Sequence, residues 1–166
     1  MCEKLADSQD FTLSVVGGGF GLAKSQQFCQ DSALAHRVTF HGWLERAELL
    51  ELYEAADIFI LPSWAEGMPN SMIEAMAAQL AIVVTRVGCV ADVISHDDNG
   101  KLIEARNIDD LLLAVEELMT KPELRRKLAA RAFEVASNQF AVEHAVETLT
   151  KVVEHAANNK PMNNSQ

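Results

Sequence analysis

Short apolar runs of strand length alternate along this chain with stretches whose apolar residues recur every three or four positions. Phe11–Val16, Val38–Gly42, Asp57–Ser63, Ala81–Thr85 and Gly100–Ile103 are the runs. Their near-continuous hydrophobicity suits parallel strands buried on both faces. Between them, helices are predicted over Leu22–Leu34, over Arg46–Ala56 with Leu49, Leu50 and Tyr53 facing inward, and over Ser71–Leu80. A loop and short helix follow in Val87–Asp92. After the fifth run Asn107 caps a helix over Ile108–Met119. Ile108, Leu111, Leu112, Val115 and Leu118 share one face of it, and Asp109 and Asp110 stand in the first turn, where the helix dipole favours acids. Pro122 ends that helix. Leu124, Leu128, Ala132 and Val135 mark another, and Phe140–Ala156 a last one. Strand–helix alternation of this kind predicts an α/β domain, a Rossmann-like parallel sheet with helices on both faces, over residues 1–157. The polar segment 158–166 is expected to fray.

The third run leads into Glu66-Gly67-Met68-Pro69-Asn70-Ser71-Met72-Ile73-Glu74. Pro62 closes the strand, Pro69 marks a break, and Asn70 occupies an N-cap position. The backbone N–H groups of Asn70, Ser71 and Met72 are therefore expected to lack intrahelical acceptors. Such a terminus carries roughly half a positive charge, enough to favour a phosphate without any lysine. Glu66 in the loop and Glu74 in the second turn border the crevice beyond the strand's carboxyl end, where open α/β sheets bind ligands. Each carboxylate can accept from a pair of sugar hydroxyls. The layout suits a ligand anionic in the middle and hydroxyl-rich at both ends, such as a nucleotide-sugar. The plainer alternative is a capped helix with two solvated carboxylates.

Composition narrows the field. Apolar residues at 49% exclude a disordered chain, and a net charge of -10 argues against a broad basic face for nucleic acid or anionic lipid. The longest apolar run, Ala75–Val84, is too short to span a bilayer, which with the opening residues predicts a soluble, cytoplasmic protein. Cys2, Cys29 and Cys89 are odd in number and widely spaced, as reduced thiols are. His36, His41, His96, His144 and His155 show no metal-binding spacing, and no D-x-D pair exists to hold a divalent cation. No metal is expected.

A second candidate loop is Gly17-Gly18-Gly19-Phe20-Gly21, between the first run and the first helix. The dinucleotide fingerprint fails, because Leu22 stands where its third glycine belongs and the second run ends in His41-Gly42 without an acid for the ribose. A Walker loop fails too, since Lys24-Ser25 has no preceding glycine. Two readings stay open: a tight strand-to-helix turn, or a loop that lets a ligand approach the backbone at Gly18 and Gly19.

The run Ile60–Thr85, ILPSWAEGMPNSMIEAMAAQLAIVVT, resembles the donor-binding segment of the retaining glycosyltransferases of family 4, with its E-x7-E motif. Strand, Pro-Ser, Glu-Gly, Pro-Asn, Glu-Ala-Met-Ala and next strand fall in order, and the likeness extends from Leu13 to about Ala156. It implies the carboxyl-terminal half of a two-domain GT-B transferase, glycosyl transferases group 1. The implied reaction moves a hexose from a nucleotide diphosphate sugar to a glycan or lipid-linked acceptor with retention, in cell-surface polysaccharide biosynthesis. Residue by residue, Glu66 would face the donor hexose as the catalytic carboxylate and Glu74 the ribose. Gly67, Met68, Pro69, Asn70 and Ser71 would surround the diphosphate, Gly18 and Gly19 would approach the donor, and Gly42, Trp43 and Leu44 would lie beside the base. Trp43 has packing as its alternative role. The family pattern has Gly and Pro at Gln79 and Ala81, and Gly and Glu at Cys89 and Asp92. The resemblance further implies an amino-terminal acceptor domain, with a strand and loop supplying Arg and Lys, that this chain lacks, a peripheral membrane association through that domain, and no transfer by this chain alone. Alternatives from other classes are a nucleotide-sugar epimerase of GT-B fold and a non-catalytic flavodoxin-like binding module.

Overall fold

The computed structural model describes residues 10–141, 150 and 151. Of the expected helix over Phe140–Ala156, Phe140 and Ala141 are non-helical and Thr150 and Lys151 helical. The remainder, like the tail 158–166, lies outside the described residues. In chain order come β1 (Leu13–Val16), α1 (Leu22–Gln30), β2 (Val38–Gly42), α2 (Arg46–Ala55), β3 (Ile58–Leu61), α3 (Asn70–Ala77), β4 (Ala81–Thr85), α4 (Val90–Val93), β5 (Lys101–Ile103), α5 (Ile108–Thr120) and α6 (Pro122–Gln139).

All five strands pair in parallel, as the strand–helix alternation requires, but in two sets. β1 pairs with β2 in the register Leu13 to Val38, while β4 lies between β3 and β5, with Ile58 opposite Ala81 and Val83 opposite Lys101. One continuous sheet was the expectation. Hydropathy locates strands but not their neighbours, and β1 and β3 each keep a backbone edge without a strand partner among the described residues.

Side chains of β4 alternate between two cores. Ile82 and Val84 pack with Met72, Ala75 and Met76 of α3, Val90 and Val93 of α4, and Ala132 and Ala136 of α6. Ala81 and Val83 pack on the other face with Val115 and Leu118 of α5 and Leu128 of α6. With both faces covered, β4 is wholly buried, which is why its sequence shows no polar alternation. The segment from Leu13 to Gly42 is thinly packed by contrast: Leu34 is its one fully buried residue.

Helix ends follow local chemistry. α1 stops at Gln30, short of the expected Leu34, because the Ser32 hydroxyl donates to the Cys29 carbonyl and accepts from the Leu34 N–H, turning the chain. α3 ends in a Schellman arrangement, with Gln79 N–H donating to Met76 and Leu80 N–H to Ala75. Gln79 takes the left-handed position usually given to glycine, at φ +60. Asn107 does cap α5, its side chain accepting from the Asp110 N–H at 3.1 Å. Two residues expected inward face solvent: Leu50, at the margin of the apolar stripe of α2, and Ile108, the first residue of α5. Lys101 is buried in β5 and ion-paired with Asp97 and Glu117, the latter at 2.6 Å.

Candidate functional site

Because the strands are parallel, the loops after β1, β2, β3 and β4 leave from carboxyl ends, and these loops carry every candidate residue but Gly42, which ends β2, Glu74 and those opening α3. The loop after β3 is held from behind. Thr85 at the end of β4 donates its hydroxyl to the Ser63 carbonyl at 2.6 Å, and the Cys89 N–H donates to the Gly67 carbonyl at 3.0 Å. Gly88 lies directly against the loop. At φ +54, a Cβ built there would stand 2.1 Å from the Glu66 carbonyl oxygen and 2.6 Å from that of Gly67. Cys89, where the family pattern has glycine, thus keeps a tight approach to the Glu66–Gly67 backbone, the close fit falling on Gly88.

The start of α3 differs from expectation by one residue. Pro69 is the N-cap and Asn70 the first helical residue, so no side chain caps the helix. Pro69 fixes its own φ, here −73, and its extended ψ of 114 lets its carbonyl begin the helical ladder. That carbonyl accepts from Met72 N–H at 3.1 Å and Ile73 N–H at 3.4 Å. Among the described residues the free donors are therefore those of Asn70 and Ser71, not Met72. Pro69 is buried, Asn70, Gly67 and Met68 are exposed, and Glu66, Ser71 and Glu74 are half-buried. Glu66 and Glu74 both belong to elements that meet at this helix start.

Glu74 has a neighbour that hydropathy hid. Tyr53, on the inner face of α2, brings its hydroxyl to 3.4 Å from the Ser71 carbonyl. Burial above all, then the charge of the nearby Glu74 carboxylate, push the phenol up to about 12. Its spacing with Leu49 marked Tyr53 as core; nothing in the pattern marked its oxygen.

The two earlier loops meet each other. Gly17 N–H donates to the Gly42 carbonyl at 2.6 Å, joining the ends of β1 and β2, and the Trp43 indole lies over Gly18, its Nε1 2.9 Å from where a Cβ would be. Gly17, Gly19 and Gly42 have φ values of +104, +150 and +69, so these turns demand glycine. Trp43 is 84% exposed and Leu44 half-buried. Phe20, Trp64 and Met68 are also exposed on loops that leave the carboxyl ends of β1 and β3. Arg106 stacks on Trp64 at 4.7 Å from the ring centroid and holds φ +65, a strained backbone for arginine that no sequence motif signalled. This pair lines a cavity of about 140 Å3 together with Pro62, Thr85, Ile103 and Leu111, and neither Glu66 nor Glu74 reaches it.

Among the described residues no three His, Cys, Asp or Glu side chains group as metal ligands, and no helix is long and apolar enough to cross a membrane.

The model of the family described as glycosyl transferases group 1 matches residues 1–135. An N,N'-diacetylbacillosaminyl-diphospho-undecaprenol alpha-1,3-N-acetylgalactosaminyltransferase from Campylobacter jejuni is 39% identical over 129 residues, covering 77% of this chain and 32% of that protein. Among solved structures, Anabaena Alr3699/HepE in complex with UDP superposes with a TM-score of 0.82 at 22% identity, covering 92% of this chain and 43% of the other. The C-terminal domain of a glycosyl transferase group 1 family protein (LpcC) from Francisella tularensis gives 0.75 at 25% identity, over 83% of this chain and 74% of that domain. The fold is a Rossmann-like half of the GT-B architecture. The chain spans 30 to 41% of the length of the curated relatives it matches.

Proposed function

This chain belongs to the glycosyl transferases group 1 family, and on that premise we propose that it is the donor-binding part of a longer, retaining enzyme of family 4. That enzyme moves a hexose from a nucleotide diphosphate sugar to a glycan or lipid-linked glycan, in cell-surface polysaccharide biosynthesis at the inner face of the membrane. The observation that carries the reading is the start of α3: two unspent N–H donors, at Asn70 and Ser71, with Glu66 before them and Glu74 after. The complexes of HepE with UDP and with UDP-glucose support the ligand class. The Campylobacter relative's name, with its lipid diphosphate acceptor, supports the acceptor class.

The roles divide along the crevice. Asn70 and Ser71 N–H groups meet the diphosphate oxygens and stabilise the charge that grows there as the glycosidic bond breaks. Glu74 accepts from the ribose diol and Glu66 faces the hexose. The backbone at Gly18 and Gly19 borders the phosphates, Gly67, Met68 and Pro69 shape the loop, and Gly42, Trp43 and Leu44 border the base. Donor binding on this reading requires no divalent cation. Transfer requires the acceptor beside the anomeric carbon, so residues 1–166 alone bind donor and do not turn it over.

The test is calorimetry of the chain with UDP in EDTA. Saturable binding is expected, with Glu74→Ala costing roughly 1–3 kcal/mol on UDP and Glu66→Ala leaving UDP nearly unchanged while weakening UDP-glucose. Silence at millimolar UDP that an added metal relieves, or equal losses for both variants on UDP, overturns the assignment.

A further inference from the structure

The residues of a strand in a parallel sheet address its two neighbours alternately. In β1 the Leu13 N–H donates to the Arg37 carbonyl at 2.8 Å and the Gly17 N–H to that of Gly42, so Leu13, Val15 and Gly17 serve β2. Ser14 and Val16 turn their N–H and C=O groups the other way. In β3 the Asp57 carbonyl accepts from the Ala81 N–H at 3.1 Å, which assigns Phe59 and Leu61 to β4 and turns Ile58 and Ile60 outward. β1 and β3 form no ladder with each other. Yet Phe11, just before β1, packs against the same core as Ile58 and Ile60 of β3, so the two edges border a common gap. Its walls set what fills it. Phe59 and Leu61 belong to one core, and Phe11, Ile58 and Ile60 to the other, so an inserted strand meets apolar side chains on both faces, as β4 does. All four residues of β3 are only half-buried, whereas all five of β4 are buried. Neither β1 nor β3 carries a charge or a proline, the usual guards of an edge that stays exposed. Residues 1–9, 142–149 and 152–166 contain no apolar run longer than two, so they offer no such strand.

We propose that this gap is a docking slot for one extended apolar strand from another part of the longer enzyme, hydrogen-bonded to Ser14 and Val16 on one side and to Ile58 and Ile60 on the other. Main-chain groups on both edges hold the strand, and the two apolar faces require it to read as β4 reads, without alternating polar residues. The curated relatives have the length to supply it, since this chain spans 30 to 41% of them. The source of the strand rests on the proposed function; the slot rests on the two edges. Once filled, it joins the glycine turn and Trp43 to the two glutamates through one continuous sheet.

Amide exchange read residue by residue tests it in two steps. In residues 1–166 the amides of Ser14, Val16, Ile58 and Ile60 should exchange at least about ten-fold faster than those of Val15 and Phe59. This arm stands even where the second protein fails to fold. That protein carries, ahead of its first residue, a copy of Leu80–Arg86 on a flexible linker of about twenty residues, which presents a doubly apolar strand at high effective concentration. The four amides should then slow about ten-fold or more, and proline at the copies of Ile82 and Val83 should abolish the slowing. Protection of the four amides in the unextended chain, slowing at one edge alone or at neither, or equal slowing by the proline version overturns the proposal. Protection that grows with the concentration of the unextended chain, together with a dimer in sedimentation, gives the slot to a second copy and overturns it likewise. Failure of UDP to bind would sink the donor reading and leave the slot standing.

Discussion

Replacing Gly88 by alanine tests how the Glu66 loop is held. The new methyl would stand 2.1 Å from the Glu66 carbonyl oxygen, where ordinary contacts begin at 3.4 Å, so the loop or the Gly88 turn must retreat by at least about 1 Å. A residue with a Cβ at φ +54 adds about 1–2 kcal/mol. Separating the strands of loop also lengthens the 3.0 Å bond from Cys89 N–H to the Gly67 carbonyl, worth about 0.5–1.5 kcal/mol. Stability should fall by about 2–3 kcal/mol, which for a domain of this size lowers Tm by about 5–10 °C. The displaced peptide is the one that bears Glu66, so UDP-glucose should weaken by about ten-fold or more and UDP by much less. Gly21→Ala is the control. With φ −85 and open space around the new methyl, it should change stability by less than about 1 kcal/mol. Scanning calorimetry and titration of both ligands suffice. A Gly88→Ala protein that melts within about 1 °C of the parent and binds UDP-glucose equally well would refute the clamp.

Gln79→Gly should stabilise the chain by about 1 kcal/mol, read as a higher midpoint in urea, because glycine takes the φ +60 position of the Schellman turn without strain. The hydrogen bonds from Lys101 and then Lys121 lower Glu117 from 4.5 to about 2. A folded pKa below the unfolded one contributes stability above 4.5 that is lost as pH falls from there toward 2. Glu117→Gln should flatten that part of the acid-unfolding profile and cost about 1 kcal/mol at neutral pH, since Lys101 keeps Asp97. In Trp64→Phe the remaining indole, Trp43, should change its emission on saturation with UDP, and unchanged emission under saturating ligand removes Trp43 from the base side.

Five strands, the helix order and the central motif were legible because each is local: apolar runs, Pro69 and Asn107 announce themselves within a few residues. The N-cap shifted from Asn70 to Pro69 because the deciding group is a main-chain carbonyl, which proline possesses as fully as asparagine. Gly88 was invisible as a clamp since its importance lies in a contact with Glu66, twenty-two residues away in sequence. Tyr53 illustrates the same limit from inside the core, where periodicity reports a face and not an oxygen. Strand order was not legible for a related reason: pairing is non-local, and β1 and β3 carry no signature of which edges they present.

The uneven packing of the two strand sets gives the molecule two tiers of rigidity. β3, β4 and β5 with α3, α5 and α6 form a cooperative unit anchored on both faces, whereas Leu13–Gly42 contributes Leu34 alone to the fully buried set. Such a unit opens at lower free energy than the whole. The glycine turn at Gly17–Gly21 and Trp43 ride on the looser tier, and the two glutamates on the firmer one. A ligand spanning both acts as a strut: amide exchange should slow most in β1 and β2 when UDP binds, with β4 hardly changing because its protection already approaches the global limit. On the proposed reading, recognition by the start of α3 and the two glutamates proceeds on a preformed platform, while recognition through the glycine turn and Trp43 is coupled to ordering.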